Sequence, residues 1–223
     1  MGREYSKQGF ILGEVPFGGE NVYWDDFDTR LNWNSSGTGT DWTAELSQAQ
    51  VYNGYGSLHL KTRKTDAQGG DQVYVWRMLA VPPRRRVEVD CVFQFRANQS
   101  TQYIWWLFWF SDGGYYKTGY GTMTYAGVRH NCTNGQWQYA DGWNSWKDIS
   151  GAKSLLYNTS WNRVKFSVDL DTGNYLSFRC GTLDVDVTKL TTTKAEYEFA
   201  EYLRFEIGIS KSPYALFKVW LHG

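Results

Sequence analysis

YIWWLFWF, residues 103–110, sets eight apolar and aromatic side chains in unbroken succession. A helix needs about 20 such residues to cross a bilayer, so this run spans no membrane as a helix. It reads as a strand, the element that aromatic residues favour. Side chains alternate along a strand, so Tyr103, Trp105, Leu107 and Trp109 point one way while Ile104, Trp106, Phe108 and Phe110 point the other. Both rows are apolar. One row requires a core, and the other requires cover from the chain's own loops, a partner subunit or a bound ligand.

The flanking sequence repeats the strand pattern in milder form. VEVDCVFQFRA puts Val87, Val89, Cys91, Phe93 and Phe95 on one side and Glu88, Asp90, Val92, Gln94 and Arg96 on the other. SLHLKTR aligns Leu58, Leu60 and Thr62, and QVYVWRML is apolar on both faces until Arg77. Asn134-Gly135 predicts a two-residue turn between strands. WNRVKFSVDLDTGNYLSFRC reads as a hairpin with Val164, Phe166, Val168 and Leu170 inward, a turn at 171–173, and Leu176, Phe178 and Cys180 returning the apolar face. LRFEIGIS and FKVWLHG close the chain in the same way. No amphipathic helix is apparent. Roughly a dozen such strands without intervening helices predict an all-β, two-layer antiparallel β-sandwich.

Composition agrees. A chain of 223 residues fits one sandwich, here residues 21–223, preceded by a glycine-rich extended arm over residues 1–20. Apolar residues make up 42% of it, with 12 Trp, 16 Tyr and 12 Phe, which excludes disorder and suits both strands and sugar-stacking surfaces. Charges balance at 23 basic and 23 acidic residues, so no electrostatic footprint for nucleic acid is present. Arg84-Arg85-Arg86 reads as a solvated turn. The opening MGREYSKQGFILGEVPFGGE has no apolar run of signal-peptide length, and its match to a myristoylation pattern at Gly2 and Ser6 reads as chance. Cys91, Cys132 and Cys180 form no close Cys/His cluster, which argues against zinc and redox roles and leaves pairing of Cys91 with Cys180 open. The sequons at Asn34, Asn98, Asn131 and Asn158 matter only in a eukaryotic secretory setting.

YWDDFDTRLNWNSSGTG, AQVYNGYGSLHLKTR and SWNRVKFSVDLDTGNYLSFRC together resemble the concanavalin A-like or laminin-G-like jelly rolls, found in carbohydrate-binding modules and in stand-alone phage and prophage proteins. The resemblance covers about residues 24–221 and implies one convex and one concave sheet. It places Trp161 as a framework residue. It also implies a role for YIWWLFWF as a central strand of the concave sheet, with one row in the core and one in a groove. A sandwich of this kind hosts many unrelated activities, so the fold alone assigns none.

Glycoside hydrolases with this fold carry a Glu-x-Asp-x-Glu strand, because glycosidic cleavage takes paired carboxylates. The nearest match is Glu88-Val89-Asp90-Cys91-Val92, where Val92 replaces the proton donor, and Glu88 and Asp90 are expected to be solvated or paired with Arg96 or Arg77. No catalytic residue is therefore assigned. Arg129-His130-Asn131 near Tyr125 is the best cluster for a polysaccharide lyase, and it is a weak one. Asp25 and Asp26 are candidates for a structural calcium, a cation that wants six to eight oxygens, although a carboxylate at a strand start is the preferred reading of them. Trp143, Trp146, Trp42, Trp137, Asp141 and Asn144 are candidate glycan contacts, Trp143 first. Tyr103, Trp105, Trp106 and Trp109 are candidate subunit contacts. The leading expectation is a non-enzymatic virion or cell-surface structural protein, forming a homo-oligomer or capsid assembly. The alternatives are a carbohydrate-binding module or lectin and, after it, a carbohydrate-active enzyme.

Overall fold

The computed structural model describes residues 21–25, 31–39, 42–48, 56–62, 71–82, 85–96, 103–114, 121–154, 160–197, 200–210 and 214–222. For residues 21–25, 96, 197 and 214–222 it describes backbone alone. The expected N-terminal arm, Asp26 and Arg84 lie outside the described residues, and the side chains of Asp25 and Arg96 do also.

Sixteen strands, numbered β1 to β16 in chain order, form two antiparallel sheets among the described residues. The first sheet runs β13 (Leu183–Asp184), β12 (Tyr175–Cys180), β11 (Asn162–Asp169), β6 (Arg86–Arg96), β16 (Tyr214–His222), β4 (Ser57–Lys61), β3 (Thr43–Ser47), with β1 (Asn21–Asp25) also on β16. The second runs β10 (Ser145–Lys153), β9 (Gln136–Gly142), β8 (Gly121–Asn131), β7 (Tyr103–Ser111), β15 (Tyr202–Ser210), β5 (Gln72–Leu79), β2 (Asn34–Thr38), with β14 (Ala195–Tyr197) on β8. The all-β sandwich is as expected, and YIWWLFWF is the middle strand of the second sheet.

Inward rows of both sheets share one core. From β7, Ile104, Trp106, Phe108 and Phe110 are buried, and β6 answers with Val87, Val89, Cys91, Phe93 and Phe95. Trp106 meets Phe93 edge-on at 4.8 Å between ring centroids and stacks on Trp137 at 6.0 Å. Phe108 packs on Phe205 at 4.8 Å. Each such side chain contributes about 1.5–3 kcal/mol by leaving water. Two expectations fall here. Trp106 and Trp137 are fully buried, so the first is no subunit contact and the second no glycan contact. Strand parity assigns both to the core row.

Register explains the other departures. Asp90 and Glu88 lie on the outer face of the first sheet and pair with β11, not with Arg77. Arg163 grips Asp90 with Nε and Nη2 at 2.7 and 2.5 Å, and Lys165 Nζ reaches Glu88 at 2.9 Å. Val164 sits opposite both Cys91 and Cys180, two ladder steps that hold those cysteines roughly 10 Å apart, beyond disulfide reach, and neither forms a disulfide. Arg85 pairs with Asp171 and Glu201, and Arg86 with Asp169, so these two residues of the basic cluster are ion-paired instead of merely solvated. The connection between β8 and β9 is wider than two residues: Gly135 N–H donates to Asn131 O across it, and Asn131 Oδ1 accepts from Thr133 N–H.

The hairpin of β11 and β12 carries a bulge between the Ser167–Ser177 and Val168–Tyr175 pairs. It turns Tyr175 inward in place of the expected Leu176. The Tyr175 hydroxyl crosses the core to the second sheet, accepting from Gly127 N–H at 2.9 Å and lying 2.9 and 3.0 Å from the carbonyls of Gly127 and Ala140. At this point β8 exchanges partners: residues 128–130 pair with β9, residues 121–123 with β14. One phenol therefore replaces ladder bonds where β9 parts from β8.

Candidate functional site

The outward row of β7 is half-buried because it floors a groove of about 560 Å³ on the second sheet. Tyr103, Trp105, Leu107 and Trp109 form the floor, with Tyr125 and Arg129 from β8 on one side and Arg204, Glu206 and Ser210 from β15 on the other. Gln72 and Tyr74 of β5 edge one rim, and Trp146 of β10 with the turn residues Trp143 and Asn144 edge the opposite one. The open row of the quoted stretch is thus accounted for by a recess.

Small residues shape the floor. Gly208 lies opposite Trp105, and the indole rests directly over it, so that any Cβ there would overlap the ring. Gly127 lies opposite Leu107, packed against the β7 backbone too closely for a side chain. Trp105 Nε1 donates to Glu206 Oε1 at 2.9 Å, and Arg204 Nη2 donates to Glu206 Oε2 at 2.6 Å. Burial pushes the Glu206 carboxyl above the ordinary range, while Trp105 and Arg204 pull it back. The Arg204 guanidinium lies 4.6 Å from the rings of both Trp76 and Trp109.

A second arginine stands at the other flank. Arg129 is 4.2 Å from the Tyr103 ring and 4.7 Å from the Trp146 ring. Its Nε donates to Gln138 Oε1 at 2.6 Å, and Gln138 Nε2 donates to Asp148 Oδ1 at 2.7 Å. Trp143, 54% exposed, stands edge-on to Trp109 and Tyr125 at 5.1 and 4.8 Å. Asn144 beside it takes a positive φ of 52°, which closes the β9–β10 turn.

Two of the sequence-derived residue sets converge on this groove. Trp143, Trp146 and Asn144 from the glycan set meet Tyr103, Trp105 and Trp109 from the subunit-contact set. Asp141 does not line it and instead pairs with Lys147 at 2.8 Å. Trp42 packs against the core and covers Gly37. Sequence reasoning passed over Arg204 and Glu206, charged alternates of LRFEIGIS indistinguishable from solvated ones. The Arg129-His130 pair is split: His130 faces the core, bonded to Ser154 O at 3.1 Å, and burial pushes its imidazole down to about 4. The Glu88-x-Asp90 pattern lies on the opposite sheet. No group of three His, Cys, Asp or Glu that could hold a metal occurs among the described residues, which include neither Asp26 nor the Asp25 side chain. No helix is long and apolar enough to cross a membrane among the described residues.

No protein-family model matches the sequence, and no curated protein matches it either. Solved structures share the fold at low identity. The endo-beta-1,4-glucuronan lyase of the fungus Trichoderma reesei aligns with a TM-score of 0.60 and 12% identity over 91% of this chain and 95% of that one. A Bacillus subtilis protein of unknown function with a galectin-like fold gives 0.52 and 12% over 92% and 96%. A cellulose-induced protein, Cip1, gives 0.51 and 9% over 89% and 96%. At such identity the likeness concerns the sandwich alone.

Proposed function

We propose that this chain binds glycans in the groove of its second sheet, outside the cell and without catalysis. The observation that carries the reading is the groove itself, where Trp105, Trp109, Trp143 and Trp146 offer flat apolar faces beside the polar groups of Arg129, Asn144, Arg204 and Glu206. Pyranose rings present apolar faces to stack and hydroxyls to bond, and this lining answers both. The glucuronan lyase that shares the sandwich acts, by its name, on a polysaccharide, which supports the reading. The virion expectation used Tyr103, Trp105 and Trp109 as a subunit contact. They are recessed, where an extended sugar chain reaches them more readily than a folded copy does.

Hydrolysis is disfavoured by the same lining. It takes two carboxyls, whereas Glu206 is the one carboxylate lining the groove among the described residues, and Trp105 and Arg204 hold it. A glycan array probed with the wild type and Trp143→Ala tests the proposal. Binding to a defined glycan, weakened about tenfold or more in the variant, is expected. Wild-type protein that binds no glycan, or a variant that binds as tightly, refutes it. Release of reducing ends or unsaturated uronides from a polysaccharide panel refutes the non-catalytic part.

A further inference from the structure

Resting on the glycan-binding reading, we infer that the groove selects glycans bearing carboxylates, uronic acid units, and that Arg129 is the residue that receives them. Arg129 is prepared for an anion and lacks one. Arg85, Arg86, Arg163, Arg179 and Arg204 each hold a carboxylate within ion-pair distance. Arg129 spends only its Nε, on the neutral amide of Gln138, and its two Nη groups have no hydrogen-bond partner among the described residues. Asp148 acts on it through space, with Gln138 in between.

Three features point to a carboxylate. A guanidinium is a planar fork that matches the two oxygens of a carboxylate. The rings of Tyr103 and Trp146 and the bond to Gln138 fix that plane before any ligand arrives, which reduces the ordering a ligand must impose. Burial also strips water from the guanidinium, holding its pKa below the ordinary value, so an incoming anion restores what desolvation removed. The flanking Trp146 and Trp143 supply the stacking faces that a sugar ring carrying such a carboxylate needs. Arg204, already neutralised by Glu206, lacks that role.

Isothermal titration calorimetry of the full chain against β-1,4-glucuronan oligomers, the same oligomers after carboxyl reduction, and a sulfated oligosaccharide tests this. Wild type is expected to favour the acidic oligomer over its reduced form by about ten- to a hundredfold, the range of a charged hydrogen-bonded pair. In Arg129→Ala that ratio collapses towards one. Arg129→Lys, which keeps charge and loses the fork, falls between the two and stands as the second variant should alanine fail to fold. Equal wild-type affinity for acidic and reduced oligomers, a ratio unaltered in both variants, or tighter binding of the sulfated glycan overturns the assignment and leaves glycan binding standing. Failure to bind any of these three and any array glycan overturns both.

Discussion

Tyr175→Phe removes one oxygen from the core and tests the account of how β8 and β9 part. The phenol accepts from Gly127 N–H and has a single proton to give to the carbonyls of Gly127 and Ala140. Its loss strands one donor and one acceptor in the buried core. Each stranded group costs about 1–3 kcal/mol, partly offset because the phenol no longer has to be desolvated, so a net loss of about 3 kcal/mol is expected. In a chain of this size that lowers Tm by about 6–12 °C. Urea unfolding followed by tryptophan fluorescence reads it directly, with an unchanged slope showing that only the native state has been altered. A variant whose midpoint falls within the equivalent of about 0.5 kcal/mol of wild type would refute the reasoning, because the three polar groups would then have found other partners at no cost.

Further outcomes follow from other contacts. Gly208→Ala drives a methyl into the Trp105 ring and separates Nε1 from Glu206, so glycan affinity should fall about tenfold or more, read by calorimetry alongside a shift in tryptophan emission. His130 is held neutral in the fold at about 4 against about 6.5 unfolded. The unfolded chain therefore binds the extra proton between those values, and stability should fall by about 3 kcal/mol as pH drops from 6.5 to 4, a slope that His130→Gln removes in urea titrations at stepped pH. Arg163→Met leaves the Asp90 carboxylate buried without its fork and should cost about 3–5 kcal/mol by chemical denaturation, whereas loss of the exposed Arg179–Asp184 pair should cost less than about 1 kcal/mol.

Particular residues show where reading the sequence stops. Period-two alternation was enough to place Ile104, Trp106, Phe108 and Phe110 on one row and Tyr103, Trp105, Leu107 and Trp109 on the other. It did not say which of the two apolar rows meets the core, and Trp106 was counted among the contacts although it is buried. Trp143, Trp146 and Asn144 were legible because a turn rich in aromatic and amide residues is unusual. Leu176 misled because one extra residue in a bulge reverses facing, and no local signal marked it. Arg204 and Glu206 looked like ordinary polar alternates, since their distinction lies in neighbours from other strands, and Arg129 was singled out only in a cluster whose His130 turns to the core.

Strand formation and the sorting of side chains between two faces depend on residues one and two positions apart, so the chain's own order determined them, together with the demand that YIWWLFWF be covered twice. Register, the bulge at Tyr175, the pairing of Asp90 with Arg163 and the meeting of Trp105 with Glu206 across β15 join residues tens to more than a hundred positions apart. Such partners are chosen by the closing of the two sheets on a shared core, where every strand's alignment constrains the next. Only the tertiary structure, therefore, turned an apolar row into a groove with a waiting arginine at its side.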